Sequence, residues 1–156
     1  MFNGCKNLKE LKINNFDTSS VTDMNNMFTE CSSLINLDLS NFNTEKVENM
    51  AFLFSDCSSL IALNLKSFDT KNVVKMYGLF KGCSSLKSID ISNFVTSNVD
   101  NMLKLFDNCN SIESLDLSNF DTSQVTNMQS MFYNCSSLTS INLNNFNTTN
   151  IRKCRI

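Results

Sequence analysis

The stretch CSSLINLDLSNF, Cys31–Phe42, is followed 26 residues on by a near copy, CSSLIALNLKSF, Cys57–Phe68. The interval holds along the whole chain. Cysteine stands at Cys5, Cys31, Cys57, Cys83, Cys109 and Cys135, and phenylalanine keeps the same step at Phe2, Phe28, Phe54, Phe80, Phe106 and Phe132. A second series runs Phe16, Phe42, Phe68, Phe94, Phe120 and Phe146, and a threonine series runs Thr18, Thr44, Thr70, Thr96, Thr122 and Thr148. Twelve of the thirteen phenylalanines lie in those two columns, so the 156 residues read as one array of six 26-residue units rather than two domains.

Within one unit the pattern changes type. Leu34, Leu37, Leu39 and Phe42 read L-x-x-L-x-L-x-x-F, whose L-x-L part alternates as a half-buried strand does. Val21, Met24, Met27, Phe28 and Cys31 then fall at helical spacing and predict an amphipathic helix. Thr18 precedes this segment as a cap, with Asp17, Asp69 and Asp121 near its positive end. The residue before each Cys is Gly4, Glu30, Asp56, Gly82, Asn108 or Asn134, and Gly and Asn suit a left-handed helix stop. One such unit has too little apolar surface to offset the entropy of fixing 26 residues, so neighbours must supply the rest by stacking.

The expectation is an α/β solenoid of six strand–helix units. One parallel sheet is centred on Leu11–Ile13, Leu37–Leu39, Leu63–Leu65, Ile89–Ile91, Leu115–Leu117 and Ile141–Leu143, with the helices on its other face. Since Met1 and Phe2 align with Met27 and Phe28, and Ile151 opens a further unit, the array is expected to be a fragment that starts and ends inside a repeat. Uncapped ends of this kind predict self-association.

Composition bounds the function. A net charge of −2 and a pI near 5.0 give no electrostatic footprint for nucleic acid or an anionic membrane surface. No apolar run approaches the ~20 residues that span a bilayer. The opening MFNGCK carries no basic or apolar leader, and Cys5 belongs to the cysteine column rather than to a lipid-anchor signal. The chain has no His, no C-x-x-C and three scattered glycines. A cysteine nucleophile with its base, a clustered zinc site and a phosphate-cradling loop therefore all lack their parts, and neither catalysis nor a cofactor is expected. Stacked cysteines point the same way and are read as buried free thiols, with Cys154, in the methionine column, as the one reactive thiol. Asn134-Cys135-Ser136 and Asn147-Thr148-Thr149 match the glycosylation sequon, as chance provides in an Asn-rich chain.

The phrases SLTSINLNNFNTTNI, residues 137–151, and SLDLSNFDTSQVTNMQSMFYNCSSL, residues 114–138, resemble the BspA-like leucine-rich repeat surface proteins, including the 26-residue repeats of mycoplasma lipoproteins. The resemblance covers essentially the whole chain. It departs from ordinary leucine-rich repeats where the buried Asn after the strand is replaced by Phe16 and its column, so no Asn ladder is expected. It implies exposure at a cell surface or secretion, and contact with a protein, such as a host extracellular or surface protein, or a glycan.

The invariant columns read as architecture, which leaves contact to the variable strand face: Lys12, Ile35, Asp38, Ile61, Asn64, Asp90, Asp116 and Asn142. Asp38, Asp90 and Asp116 share one column, where a solvated face is favoured over a calcium site. Ile35 beside Ile61 reads as a contact patch. The alternative is a structural spacer of a longer surface protein without a ligand of its own.

Overall fold

A computed structural model describes residues 1–153 of the chain. Among them there is no α-helix; the strands are β1 (Asn36–Leu37), β2 (Ala62–Leu63), β3 (Ser114–Asp116) and β4 (Ser140–Asn142). β1 pairs with β2 and β3 with β4, both in parallel, with Asn36 opposite Ala62 and Asp116 opposite Asn142. The expected strand–helix solenoid with one six-stranded sheet is therefore wrong in both layers. The units centred on Leu11–Ile13 and Ile89–Ile91 hold no strand, and the segments read as helices make a different set of hydrogen bonds.

Those bonds run between units. The amides of Met24, Asn26, Phe28 and Glu30 donate to the carbonyls of Asn49, Ala51, Leu53 and Ser55 at 2.8–3.1 Å, each 25 residues ahead. Parallel bridges from Asp23 through Asn49, Lys75, Asn101 and Asn127 to Lys153 continue this ladder across the array. A helix would satisfy the same amides four residues back. Here every second amide is committed to the neighbouring unit, and the amides between close β-turns: Met27 onto Met24 and Cys31 onto Phe28 at 3.2 and 3.1 Å.

The third residue of each turn is left-handed. Asn26, Phe52, Gly78, Lys104 and Ser130 have φ of 55–63°, and Gly4, Glu30, Asp56, Gly82, Asn108 and Asn134 have φ of 56–76°. The second of these columns, expected to stop a helix, closes β-turns instead. A left-handed residue every fourth position does not fit into an α-helix of L-residues, and a positive φ in third place is what a type II turn requires. In these turns, and equally in the turns Cys31–Leu34 and Leu39–Phe42 whose third residues Ser33 and Asn41 are not left-handed, the first and fourth residues both point inward. Cys31 and Leu34, Leu39 and Phe42, Met50 and Leu53, and Phe54 and Cys57 are each joined by a three-residue return bond, and all are buried. Turn geometry, not helical pitch, produces the apolar spacing of three.

The molecule is thus a stack of 26-residue coils with the repeated apolar columns inside. Phe2, Phe28, Phe54, Phe80, Phe106 and Phe132 stack ring on ring, with centroids 5.3–6.0 Å apart and planes within 16°. The threonine column caps nothing. Thr44 Oγ1 donates to the Asp69 carbonyl at 2.9 Å and accepts the Asp69 amide at 2.8 Å, and Thr18, Thr70 and Thr122 make the same two-way link to the next coil. An asparagine ladder is present, contrary to expectation, one residue ahead of the Phe16 column. The amides of Asn41, Asn93 and Asn119 bridge to two carbonyls of the preceding coil, Asn119 to Ile91 and Phe94 at 3.0 and 2.8 Å. No buried side-chain nitrogen or oxygen lacks a partner among the described residues.

Candidate functional site

The strand face is built by the L-x-L alternation. Leu37 and Leu39 turn inward with Leu63 and Leu65, so the residues between and beside them face solvent. Lys12, Ile35, Asp38, Ile61, Asn64, Asp90 and Asp116 are exposed and Asn142 is half-buried. Parallel register places equivalent residues side by side. The Ile61 amide donates to the Ile35 carbonyl at 3.2 Å, bringing the two isoleucines together although they are 44% and 53% exposed. Asn36, Leu37, Asp38, Ala62, Leu63 and Asn64 line a shallow depression next to them.

The acidic column has a local duty that the sequence did not disclose. Asp38 Oδ1 accepts the Ser40 amide at 3.0 Å, Asp90 Oδ1 that of Ser92 at 3.2 Å, and Asp116 Oδ1 that of Ser118 at 3.0 Å. Asn64 and Asn142 do the same for Lys66 and Asn144. These are Asx turns that bend the chain out of the strand. Hydrogen bonds from the Ser40 amide, the Ser92 hydroxyl and amide and the Ser118 hydroxyl and amide hold the three carboxyls below the usual aspartate value, so all three are charged at neutral pH. Two further Asx columns serve the other corners: Asp17, Asn43, Asp69, Asp121 and Asn147 in one, and Asp23, Asn49, Asn101 and Asn127 in the other. Asp17, Asp69 and Asp121 close turns, therefore, and do not face a helix dipole.

The cysteine column lies inside. Cys31, Cys57, Cys83 and Cys109 are buried, Cys5 and Cys135 are half-buried, and all six are free thiols. Each thiol from Cys31 onward donates to a phenylalanine carbonyl of the preceding coil at 3.1–3.2 Å, Cys57 to Phe28 and Cys83 to Phe54. Burial pushes the Cys57 thiol up to about 12 and those of Cys31, Cys83, Cys109 and Cys135 in the same direction. Cys154 lies outside the described residues. Among those residues no group of three or more His, Cys, Asp or Glu side chains converges as a metal site, and no helix is long and apolar enough to cross a membrane.

The array is that of a repeat protein, each coil bonded to its neighbours. The chain belongs to the family described as Mycoplasma protein of unknown function, DUF285, whose model matches residues 1–88 and again residues 60–155. No curated protein and no solved structure matches it.

Proposed function

We propose that the chain is a non-catalytic repeat module, displayed at a cell surface or secreted, that binds a protein or glycan through its strand face. The observation that carries this reading is the Ile35–Ile61 pair. Every other large aliphatic of coils two and three on this side, Leu34, Leu37, Leu39, Leu60, Leu63 and Leu65, is buried, yet these two stand in solvent next to each other. The face around them is broad, polar and shallow, which suits a macromolecular partner better than a small molecule in need of a concave apolar pocket. The resemblance to BspA-like surface proteins supports an extracellular setting and an adhesive role.

A spacer without a ligand is the second reading, favoured by the number of columns spent on holding one coil to the next. The test is retention of host extracellular proteins and surface glycans on the immobilised chain, compared with the Ile61→Asp variant. A retained partner lost on substitution supports the binding module. No retention at all favours the spacer, and retention unchanged by Ile61→Asp places binding away from this pair and overturns the strand-face reading.

A further inference from the structure

The backbone bonds that join one coil to the next thin out at one place inside the array, where Ile61–Met76 of coil three lies against Lys87–Asn101 of coil four. On the strand face the amides of Ile61, Glu113 and Thr139 donate to the carbonyls of Ile35, Lys87 and Glu113 at 3.2, 3.1 and 2.9 Å, but the equivalent amide of Lys87 makes no such bond to Ile61. Ile89 is half-buried there, although Leu37, Leu63 and Leu115 of the same column are buried. On the far side the amides of Met24, Met50, Met102 and Met128 donate to the next coil at 2.9–3.0 Å, whereas that of fully buried Met76 does not. The one backbone bond left in this stretch, Asp100 to Val74, is 3.4 Å long, against 2.9 Å for Val74 to Glu48 and Thr126 to Asp100. Two corners of the same stretch lack their side-chain oxygen as well. Between Asp17 and Asn147 every position of the three Asx columns is Asp or Asn except Lys75 and Val95. The first junction also has no strand pairing, but it keeps its far-side bonds, Met24 to Asn49 and Glu48 to Thr22, and its corners at Asp17 and Asp23.

We infer that this junction is a hinge, at which coils one to three and coils four to six open against each other. Its axis is the intact part of the ladder, where Phe54, Asp56, Gly78 and Phe80 donate to Leu79, Lys81, Leu103 and Leu105 at 2.6–3.0 Å. Across the open stretch the tethers are side chains: Asn93 to Leu65 and Phe68, Asn98 to Lys71, and Thr70 in both directions to Val95. Side-chain tethers carry one or two bonds each and open locally at less cost than a continuous backbone ladder. The Ile35–Ile61 pair lies wholly on one side of the hinge, so opening leaves it intact and changes its distance from Asp90 and Asp116 in the other block. The inference concerns the fold and holds whether or not the strand face takes a ligand.

The test is native-state amide hydrogen exchange of the whole chain, read residue by residue by NMR. The equivalent amides of Met24, Met50, Met76, Met102 and Met128 all sit on buried residues, so burial does not distinguish them. Met76 is expected to exchange roughly tenfold or more faster than Met50 and Met102, and Asp100 faster than Val74 and Thr126. Fraying inward from the outer coils gives the reverse order, with Met24 and Met128 fastest. Because a hinge opens as a unit, Met76 and Asp100 are expected to share one dependence on low urea. Lys75→Asn/Val95→Asp supplies the two missing corner oxygens and is expected to slow both amides while leaving Met50 unchanged. A Met76 amide as protected as those of Met50 and Met102 overturns the inference, as do unrelated urea dependences for Met76 and Asp100.

Discussion

The Cys57 thiol donates to the Phe28 carbonyl at 3.1 Å, across 29 residues of sequence and one coil of the stack. That contact makes a proton a structural part of the core. The ordinary thiol value is 9.0 and burial raises Cys57 to about 12, so the folded chain holds this proton more tightly than the unfolded chain does. Stability is therefore independent of this group below pH 9 and falls as pH rises from 9 toward 12, where only the unfolded thiol ionises. Urea titrations between pH 7 and 10.5 check the slope, which is expected to be shallower in Cys57→Ser because a hydroxyl still donates but does not ionise. At pH 7.5 a maleimide label is expected to reach half-buried Cys5 well before Cys31, Cys57, Cys83 and Cys109.

Thr70 reaches the next coil in both directions at once, donating to the Val95 carbonyl at 2.9 Å and accepting its amide at 2.7 Å. Thr70→Val keeps the volume and removes both bonds, stranding polar groups beside a fully buried side chain. A loss of about 1–2 kcal/mol is expected. Exposed Thr148 in the same column is the control, with Thr148→Val expected to stay within about 0.5 kcal/mol. Equal effects at the two positions in denaturant titrations would refute the link between coils.

Phe52, the one phenylalanine outside both columns, and Gly78 sit at equivalent positions of adjacent coils. A Cβ on Gly78 would overlap the Cδ1–Cε1 edge of the Phe52 ring, which also meets Tyr77 edge-on at 5.2 Å. With φ at +63°, Gly78→Ala suffers both the left-handed penalty of about 1–2 kcal/mol and the clash. Removing the ring first removes the clash. Gly78→Ala is expected to cost less in a Phe52→Ala background than alone, with a coupling of about 0.5–3 kcal/mol in a double-mutant cycle. Strict additivity would show that the ring does not occupy this space.

The repeat and its inward columns were legible because identity at a fixed interval needs no knowledge of conformation. The helix was not there because a β-turn with its first and fourth residues inward writes the same spacing as a helical stripe. Met50, Leu53, Phe54 and Cys57 satisfy either. What separates the two is the left-handed column Asn26, Phe52, Gly78, Lys104, Ser130, and only one of its members is a glycine. Gly78 in mid-segment was the available signal. The asparagine ladder was not legible for a related reason: Asn41, Asn93 and Asn119 stand immediately before the phenylalanine column in an Asn-rich chain, where a bridging asparagine and a solvated one look alike. At the candidate site, exposure followed from alternation, but the turn-closing duty of Asp38, Asp90 and Asp116 did not, because an aspartate on a strand face and one that starts an Asx turn look alike in sequence.

That duty separates charge from geometry at Asp90, whose Oδ1 takes both the amide and the hydroxyl of Ser92, at 3.2 and 2.7 Å. If the turn needs only a side-chain oxygen, Asp90→Asn leaves stability at pH 7 unchanged, since Asn64 and Asn142 close the same turn with an amide oxygen. Asp90→Ala leaves both the amide and the hydroxyl of Ser92 to water and is expected to be measurably less stable than either the parent or Asp90→Asn. Because the Ser92 hydroxyl and then its amide favour the charged carboxyl, the aspartate's own advantage is present at neutral pH and fades as pH falls through its lowered value. Asp90→Asn carries no such dependence. Chemical denaturation of the three proteins at pH 7 and pH 3 distinguishes these cases, and an Asp90→Asn variant as unstable as Asp90→Ala at pH 7 would show that the carboxylate's charge, rather than its oxygen, shapes the turn.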